Sequence, residues 1–150
     1  MAEESSSIMI ALLPINSDWC KIELPHLTLV FAGETKDHKP GEFNELAKDA
    51  CLLATLTKPL TLRTDGTEVF GGRGYDEAMD VIMIKKTPEL LAMRRVVEKW
   101  NKSEYDFNPH VTIGPAGNGI SEIPSHIAFN RICVGWGDDY LHFNMATPSY

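Results

Sequence analysis

The sequence has few cysteines and no pattern that would pair them. The 150 residues contain three, Cys20, Cys51 and Cys133, which are odd in number, widely spaced and without a Cys-x-x-Cys pair. This argues against a disulfide framework or a thiolate zinc site and indicates reduced packing residues. Long apolar runs are also lacking: residues 8–13 are too few to span a bilayer, and no basic stretch of a secretion signal precedes them. We expect a cytoplasmic protein without a membrane partner.

The sequence has fewer basic than acidic residues. Fourteen Lys and Arg residues against 21 Asp and Glu residues give a net charge of −7, which repels long duplex nucleic acid but leaves a small anionic ligand possible in a local pocket. The 43% hydrophobic and 23% charged fractions are those of an ordinary globular chain. With no low-complexity linker, the sequence predicts a single domain over residues 1–150, of unknown oligomeric state.

The apolar periodicity predicts strands alternating with two helices. The apolar runs at 8–13 and 26–32 indicate strands, and the 3.6-residue spacing over 43–54 indicates a helix. Asp65-Gly66 is a turn signal that divides the β-rich stretch 59–70, and Thr87-Pro88 is a helix start. Further strands are predicted at 79–84 and 109–113, and a final hairpin over 127–143. The order β-β-α-β-β-β-α-β-β-β predicts an α+β fold with helices outside antiparallel sheet.

One five-residue pattern occurs twice. Pro25-His26-Leu27-Thr28-Leu29 and Pro109-His110-Val111-Thr112-Ile113 agree at proline, histidine and threonine and are apolar at the other two positions. Because side chains alternate along a strand, each histidine shares a face with the threonine two residues later. One such motif is usually structural, whereas two copies predict a shared site built from His26, Thr28, His110 and Thr112.

Two such pairs suit phosphoryl transfer without a metal or another cofactor. A neutral imidazole takes a proton from the attacking oxygen, a protonated one donates to the leaving oxygen, and the hydroxyls hold the phosphoryl oxygens. We favour His26 as the acid and His110 as the base, although the reversed roles are nearly as well supported. Two alternatives stay open: a nucleotide sponge that binds a ligand in the same cleft without cleaving it, and a metal site, for which two histidines supply too few ligands.

At these residues the sequence resembles the 2H phosphoesterase superfamily, which is named for two H-x-[ST]-hydrophobic motifs. His26-Leu27-Thr28-Leu29 and residues 107–113 match its two motifs. The resemblance implies a bilobal, pseudo-twofold-symmetric fold with both motifs in a central cleft. It also implies metal-independent cleavage of 2′,3′-cyclic phosphates, 2′-5′ linkages or cyclic oligonucleotides, with a small nucleotide or a short RNA end as partner. In its length and its Phe70-Gly71-Gly72 segment, the chain looks like phage-type members of the superfamily, which destroy nucleotide immune signals. This resemblance implies a protein that acts in the host cytoplasm.

Three residues near the motifs are candidates for substrate binding. Tyr105 and Phe107 lead into the second motif, where an aromatic ring can stack on a base, although core packing is the favoured alternative for Phe107. Arg73 lies in a glycine-rich loop from which it could reach a phosphate. The remaining histidines are assigned to the surface or to structure, with His38 placed in a solvated turn, and Trp136 is assigned to a hairpin core with the cleft as its alternative.

Overall fold

The computed structural model describes residues 6–16, 19–20, 24–71, 77–117 and 123–146. Its strands are β1 (Ser7–Pro14), β2 (Leu27–Glu34), β3 (Leu60–Phe70), β4 (Met79–Ile84), β5 (His110–Pro115), β6 (His126–Trp136) and β7 (Asp139–Asn144). Its helices are α1 (Glu42–Leu56) and α2 (Pro88–Val97), with 3₁₀ turns at Thr35–Asp37 and Glu98–Trp100. The predicted elements are all present with one exception, described below.

The strands form one antiparallel sheet in the order β1-β2-β5-β4-β3-β6-β7. The long strand β6 pairs with β3 through its first half and with β7 through its second, while its other edge pairs with β1. The β1–β6 pairing joins the two ends of the six-strand series, so the sheet curls and closes on itself. The α+β class with antiparallel sheet and two helices is confirmed; twofold symmetry of the whole chain stays a prediction.

The segment predicted as two strands between α1 and β4 is a single strand, β3. Its pairing with β4 shifts from Thr64↔Ile84 to Thr67↔Ile82, so β3 advances three residues while β4 advances two. Gly66 has φ +81°, which supplies the left-handed residue of a β-bulge. Asp65-Gly66 therefore bends a continuous strand, and the prediction of a chain-reversing turn there was wrong.

The core lies between one face of the sheet and the two helices. Its largest members include Phe129, Leu27 and Leu53. The Thr87 Oγ1 accepts from the Leu90 N–H at 3.1 Å, which confirms the predicted N-cap of α2. In α1 the buried stripe is rotated relative to the predicted one, because Leu53 is buried and Cys51 is exposed. Within the described residues no helix is long and apolar enough to cross a membrane.

His38 is an interior side chain, contrary to the predicted solvated turn. Only 4% of its side chain is exposed. Nε2 lies 2.6 Å from the Ala32 carbonyl oxygen and Nδ1 lies 2.6 Å from the Glu42 carboxylate, and the ring packs between Trp100 and Trp136. Hydrogen bonds to Glu42 and then to Ala32 raise the pKa of His38. The ring thus anchors the end of β2 to the start of α1, and Trp136 packs in this cluster as predicted.

Candidate active site

The two His-x-Thr motifs lie on neighbouring strands of the sheet. Strands β2 and β5 pair antiparallel at Leu27↔Val111, and both of these side chains are fully buried in the core. Alternation turns the residues on either side of that pair toward the opposite face. His26, Thr28, His110 and Thr112 therefore share one face, which we call the motif face. The two motifs, 84 positions apart in sequence, meet on this face.

Both imidazoles are held in the same way by their own main chain. His26 Nδ1 lies 2.8 Å from the Leu24 carbonyl oxygen, and His110 Nδ1 lies 2.7 Å from the Asn108 carbonyl oxygen. A carbonyl only accepts, so Nδ1 must carry a proton and donate it in both rings. The neutral tautomer of each histidine then has its lone pair on Nε2. Each ring thus keeps Nε2 as the nitrogen that can accept or deliver a proton.

The surroundings of the two histidines differ. Burial lowers the pKa of His26 below the ordinary value for histidine, the hydrogen bond to Leu24 partly opposes this, and the nearby His110 lowers it further. Desolvation penalises the charged ring because an apolar surrounding replaces water. The register places the buried side chains of Ala11 and Cys133 on the motif face beside Thr28. His26 is therefore neutral at pH 7.

The hydroxyl of Thr28 has a weak partner. Thr28 Oγ1 lies 3.9 Å from Met9 Sδ, and a thioether sulfur is a poor acceptor. Met9 in turn packs over Gly135, where an added Cβ would lie 3.1 Å from Met9 Cγ. A stronger acceptor, such as a phosphoryl oxygen, would displace this contact readily. On the second motif, Cys20 Sγ donates to the Thr112 carbonyl oxygen at 3.8 Å.

Phe70 contacts the second histidine and was not identified from the sequence as a site residue. Its ring meets that of His110 in an edge-on arrangement, with centroids 4.6 Å apart and an interplanar angle of 65°. Phe70 ends β3, which β4 separates from β5, and its side chain reaches across to His110. An aromatic residue next to glycines was the only signal in the sequence that could have pointed to this contact.

The three residues predicted to bind substrate differ in their exposure and surroundings. Tyr105 is 85% exposed, so its ring is free to contact a ligand. Phe107 packs against the core, and the Arg94 guanidinium lies 4.7 Å from its ring centroid, in line with the packing alternative. Arg73 lies outside the described residues. A role in substrate binding stays a prediction for all three.

A pocket of about 380 Å³ lies beside His110. Its lining comes from β3, β4 and the segments that flank them, namely Asp65, Glu68, Met83, Ile84, Lys85, Lys86, Asn108 and Pro109. Met83 pairs with His110, and Glu68 pairs with Val81, two residues before Met83. Met83 and Glu68 therefore lie on the motif face. We call this cavity the side pocket.

The Cys133 thiol and clusters of metal-ligating side chains are the alternatives to acid–base chemistry near the motifs. Burial raises the pKa of the Cys133 thiol to about 11, which keeps it protonated and makes it a packing residue. In the part of the chain that the structure describes, no group of three or more His, Cys, Asp or Glu side chains could hold a metal ion. The two motifs contribute imidazoles and hydroxyls to the motif face, and these are groups of general acid–base chemistry.

Comparisons with known proteins show the family and the fold of the chain. The model of a family described as the 2′-5′ RNA ligase superfamily matches residues 21–125. Usb1 of Kluyveromyces marxianus superposes with a TM-score of 0.66 at 11% identity, covering 94% of this chain and 99% of its own. TT0787 of Thermus thermophilus gives 0.64 at 15% identity, covering 95% and 100%. LigT of E. coli in its apo form gives 0.58 at 15% identity, covering 96% and 99%. No individual curated protein sequence matches the chain.

Proposed function

Because the chain belongs to the 2′-5′ RNA ligase superfamily of 2H phosphoesterases, we propose that it is a metal-independent phosphodiesterase acting on a small nucleotide. The observation that carries this proposal is the shared face of His26, Thr28, His110 and Thr112 on two adjoining strands. Two proton-transfer groups and two hydroxyl donors on one surface are what cleavage of a phosphodiester needs. The net charge of −7 favours a short ligand over a long duplex.

In the proposed reaction the two imidazoles have separate roles. His26 is the base, because burial keeps it neutral and its lone pair is on Nε2. It takes a proton from water as the water oxygen bonds to phosphorus. The bond from phosphorus to the leaving oxygen breaks, and that oxygen receives a proton from Nε2 of His110. This assignment reverses the one that the sequence favoured.

The threonines stabilise the charge that develops on phosphorus. A hydroxyl donates one hydrogen bond without adding charge, so Thr28 and Thr112 are suited to the two non-bridging oxygens. The Thr28 hydroxyl gives up only a long contact to Met9 Sδ when it turns to the substrate. Removal of one such donor typically costs about 10²–10³ in kcat.

The substrate classes that we propose are 2′,3′-cyclic phosphates, 2′-5′ linkages and cyclic oligonucleotides of the kind used as immune signals. A nucleotide ligand is supported by the solved structures of similar fold, which include E. coli LigT with 3′-AMP and K. marxianus Usb1 with uridine monophosphate. Substrate assays distinguish among the three classes.

The experiment is a product assay by mass spectrometry over these three substrate classes, with chelator present. We expect turnover of at least one class by the wild-type protein and a loss of about 10³-fold or more in the His26→Ala/His110→Ala variant. His142→Ala removes an exposed histidine on the edge strand β7 and serves as the matched control. Full turnover by the double variant would overturn the proposal. Intact ligand recovered from denatured protein would support the sponge instead.

A further inference from the structure

The side pocket is an open depression beside the motif face, and none of the four motif His and Thr side chains lines it. Its volume of about 380 Å³ is in the range of pockets that hold small ligands. Its lining combines two lysines, Lys85 and Lys86, with two carboxylates, Asp65 and Glu68. Such a mixture fits a ligand that carries both an anionic group and hydrogen-bond donors.

The four charges are available to a ligand. Among the described residues, the ion pairs within 4 Å involve other side chains, and none includes Lys85, Lys86, Asp65 or Glu68. Lysine and carboxylate side chains that line one cavity without pairing leave their binding capacity unused.

The side pocket lies next to His110 and not next to His26. Asn108 and Pro109 line it and immediately precede His110, and the Asn108 carbonyl oxygen holds the His110 ring. The remaining lining residues come from β3 and β4 and the turn after β4, and β5 separates these strands from β2. The side pocket therefore lies on the His110 side of the site, away from His26.

From these observations we infer that the side pocket binds the leaving nucleotide of a substrate whose scissile phosphate joins two nucleosides. This rests on the proposed function, in which His110 protonates the leaving oxygen. The lysines would contact a phosphate of that nucleotide, and Asp65 and Glu68 would accept hydrogen bonds from an exocyclic amino group of its base. A 2′,3′-cyclic mononucleotide has no second nucleoside and would leave the pocket empty.

The test compares two substrates and two charge variants. The substrates are 2′,3′-cyclic AMP and a 2′-5′-linked adenylate dinucleotide with a terminal phosphate on the leaving nucleoside. We expect Lys85→Ala/Lys86→Ala to lower kcat/KM for the dinucleotide about tenfold or more and to leave the value for 2′,3′-cyclic AMP within about twofold. Lys58→Ala, which removes an exposed lysine beyond the end of α1, is the control and should change neither.

A second variant tests base recognition. Glu68→Gln replaces one acceptor oxygen by a donor, so we expect it to lower kcat/KM for an adenine-containing leaving nucleotide more than for a uracil-containing one. Equal effects of the lysine variant on both substrates, or no effect on either, would overturn the inference while turnover by the wild type upholds the proposed function. Absence of turnover of any diester would overturn the proposed function and the inference with it.

Discussion

The separate roles of the two histidines can be tested by changing the leaving group. A general acid matters most when the leaving oxygen is a poor one, such as a ribose hydroxyl, and matters little for p-nitrophenolate, which leaves as a stable anion. Burial lowers the pKa of His26, and His110 lies beside the side pocket. His110→Ala should therefore impair cleavage of a dinucleotide and largely spare a nucleoside p-nitrophenyl phosphate, whereas His26→Ala should impair both.

The size of the effect follows from the role of each ring. A positioned acid or base contributes about 10²–10⁴ in rate, which corresponds to about 2.7–5.4 kcal/mol. We expect that loss in kcat/KM for His110→Ala with the dinucleotide and less than about tenfold with the p-nitrophenyl ester. For His26→Ala we expect the full loss with both, because water must still be deprotonated. The assay is steady-state kinetics, with release of p-nitrophenolate followed by absorbance.

The pH profile gives an independent reading of the same assignment. A base must be neutral to act, so the acidic limb of kcat/KM should lie below pH 6.5 because burial lowers the pKa of His26. The reverse substrate pattern, in which His26→Ala spares the p-nitrophenyl ester, would assign the acid to His26. Equal losses for both variants on both substrates would refute the division of roles altogether.

Three further predictions concern stability and the ring contact at the site. Thr87→Ala removes the cap of α2 and should lower the free energy of unfolding by about 1 kcal/mol, or Tm by about 2–4 °C. Thr87→Ser should retain most of this stability. An unchanged Tm in Thr87→Ala would contradict the capping contact. The pKa of His38 is raised, so its contribution to stability is complete below pH 6.5 and is lost as pH rises through the raised value. Thermal unfolding from pH 5.5 to 9 should show that decline, and His38→Gln should flatten it. Phe70→Leu removes an aromatic contact with His110 that is worth about 0.5–1.5 kcal/mol. We therefore expect kcat to fall about 2–12-fold while Tm stays nearly constant. An unaltered kcat would show that the His110 ring is oriented without Phe70.

The polar pair of each motif could be predicted because alternation along a strand is a local property. His26 and Thr28 share a face in any extended chain, and so do His110 and Thr112. Their meeting on one sheet depends on the single pair Leu27↔Val111, which joins β2 and β5. The repeat predicted a shared site for the motifs, but not that their strands would be hydrogen-bonded neighbours.

The errors arose where a local signal has two structural uses. Glycine with positive φ serves both a hairpin turn and a bulge, and only the register with β4 decides that Gly66 is in a bulge. His38 stands among charged residues, yet Trp100 and Trp136 bury it from positions about 60 and 100 residues further along the chain. Likewise, the charges of the side pocket come from separate strands, so no sequence window contains them.

The hydrogen bond that orients His26 runs to a neutral carbonyl group, and this affects the charge of the ring. A carboxylate in that position would stabilise the imidazolium, whereas an uncharged peptide oxygen only partly opposes the effect of burial on the pKa of His26. The ring therefore stays neutral at pH 7 before any ligand binds. A base held in this way can accept a proton as soon as the attacking water is in place, and no bound proton has to be removed first.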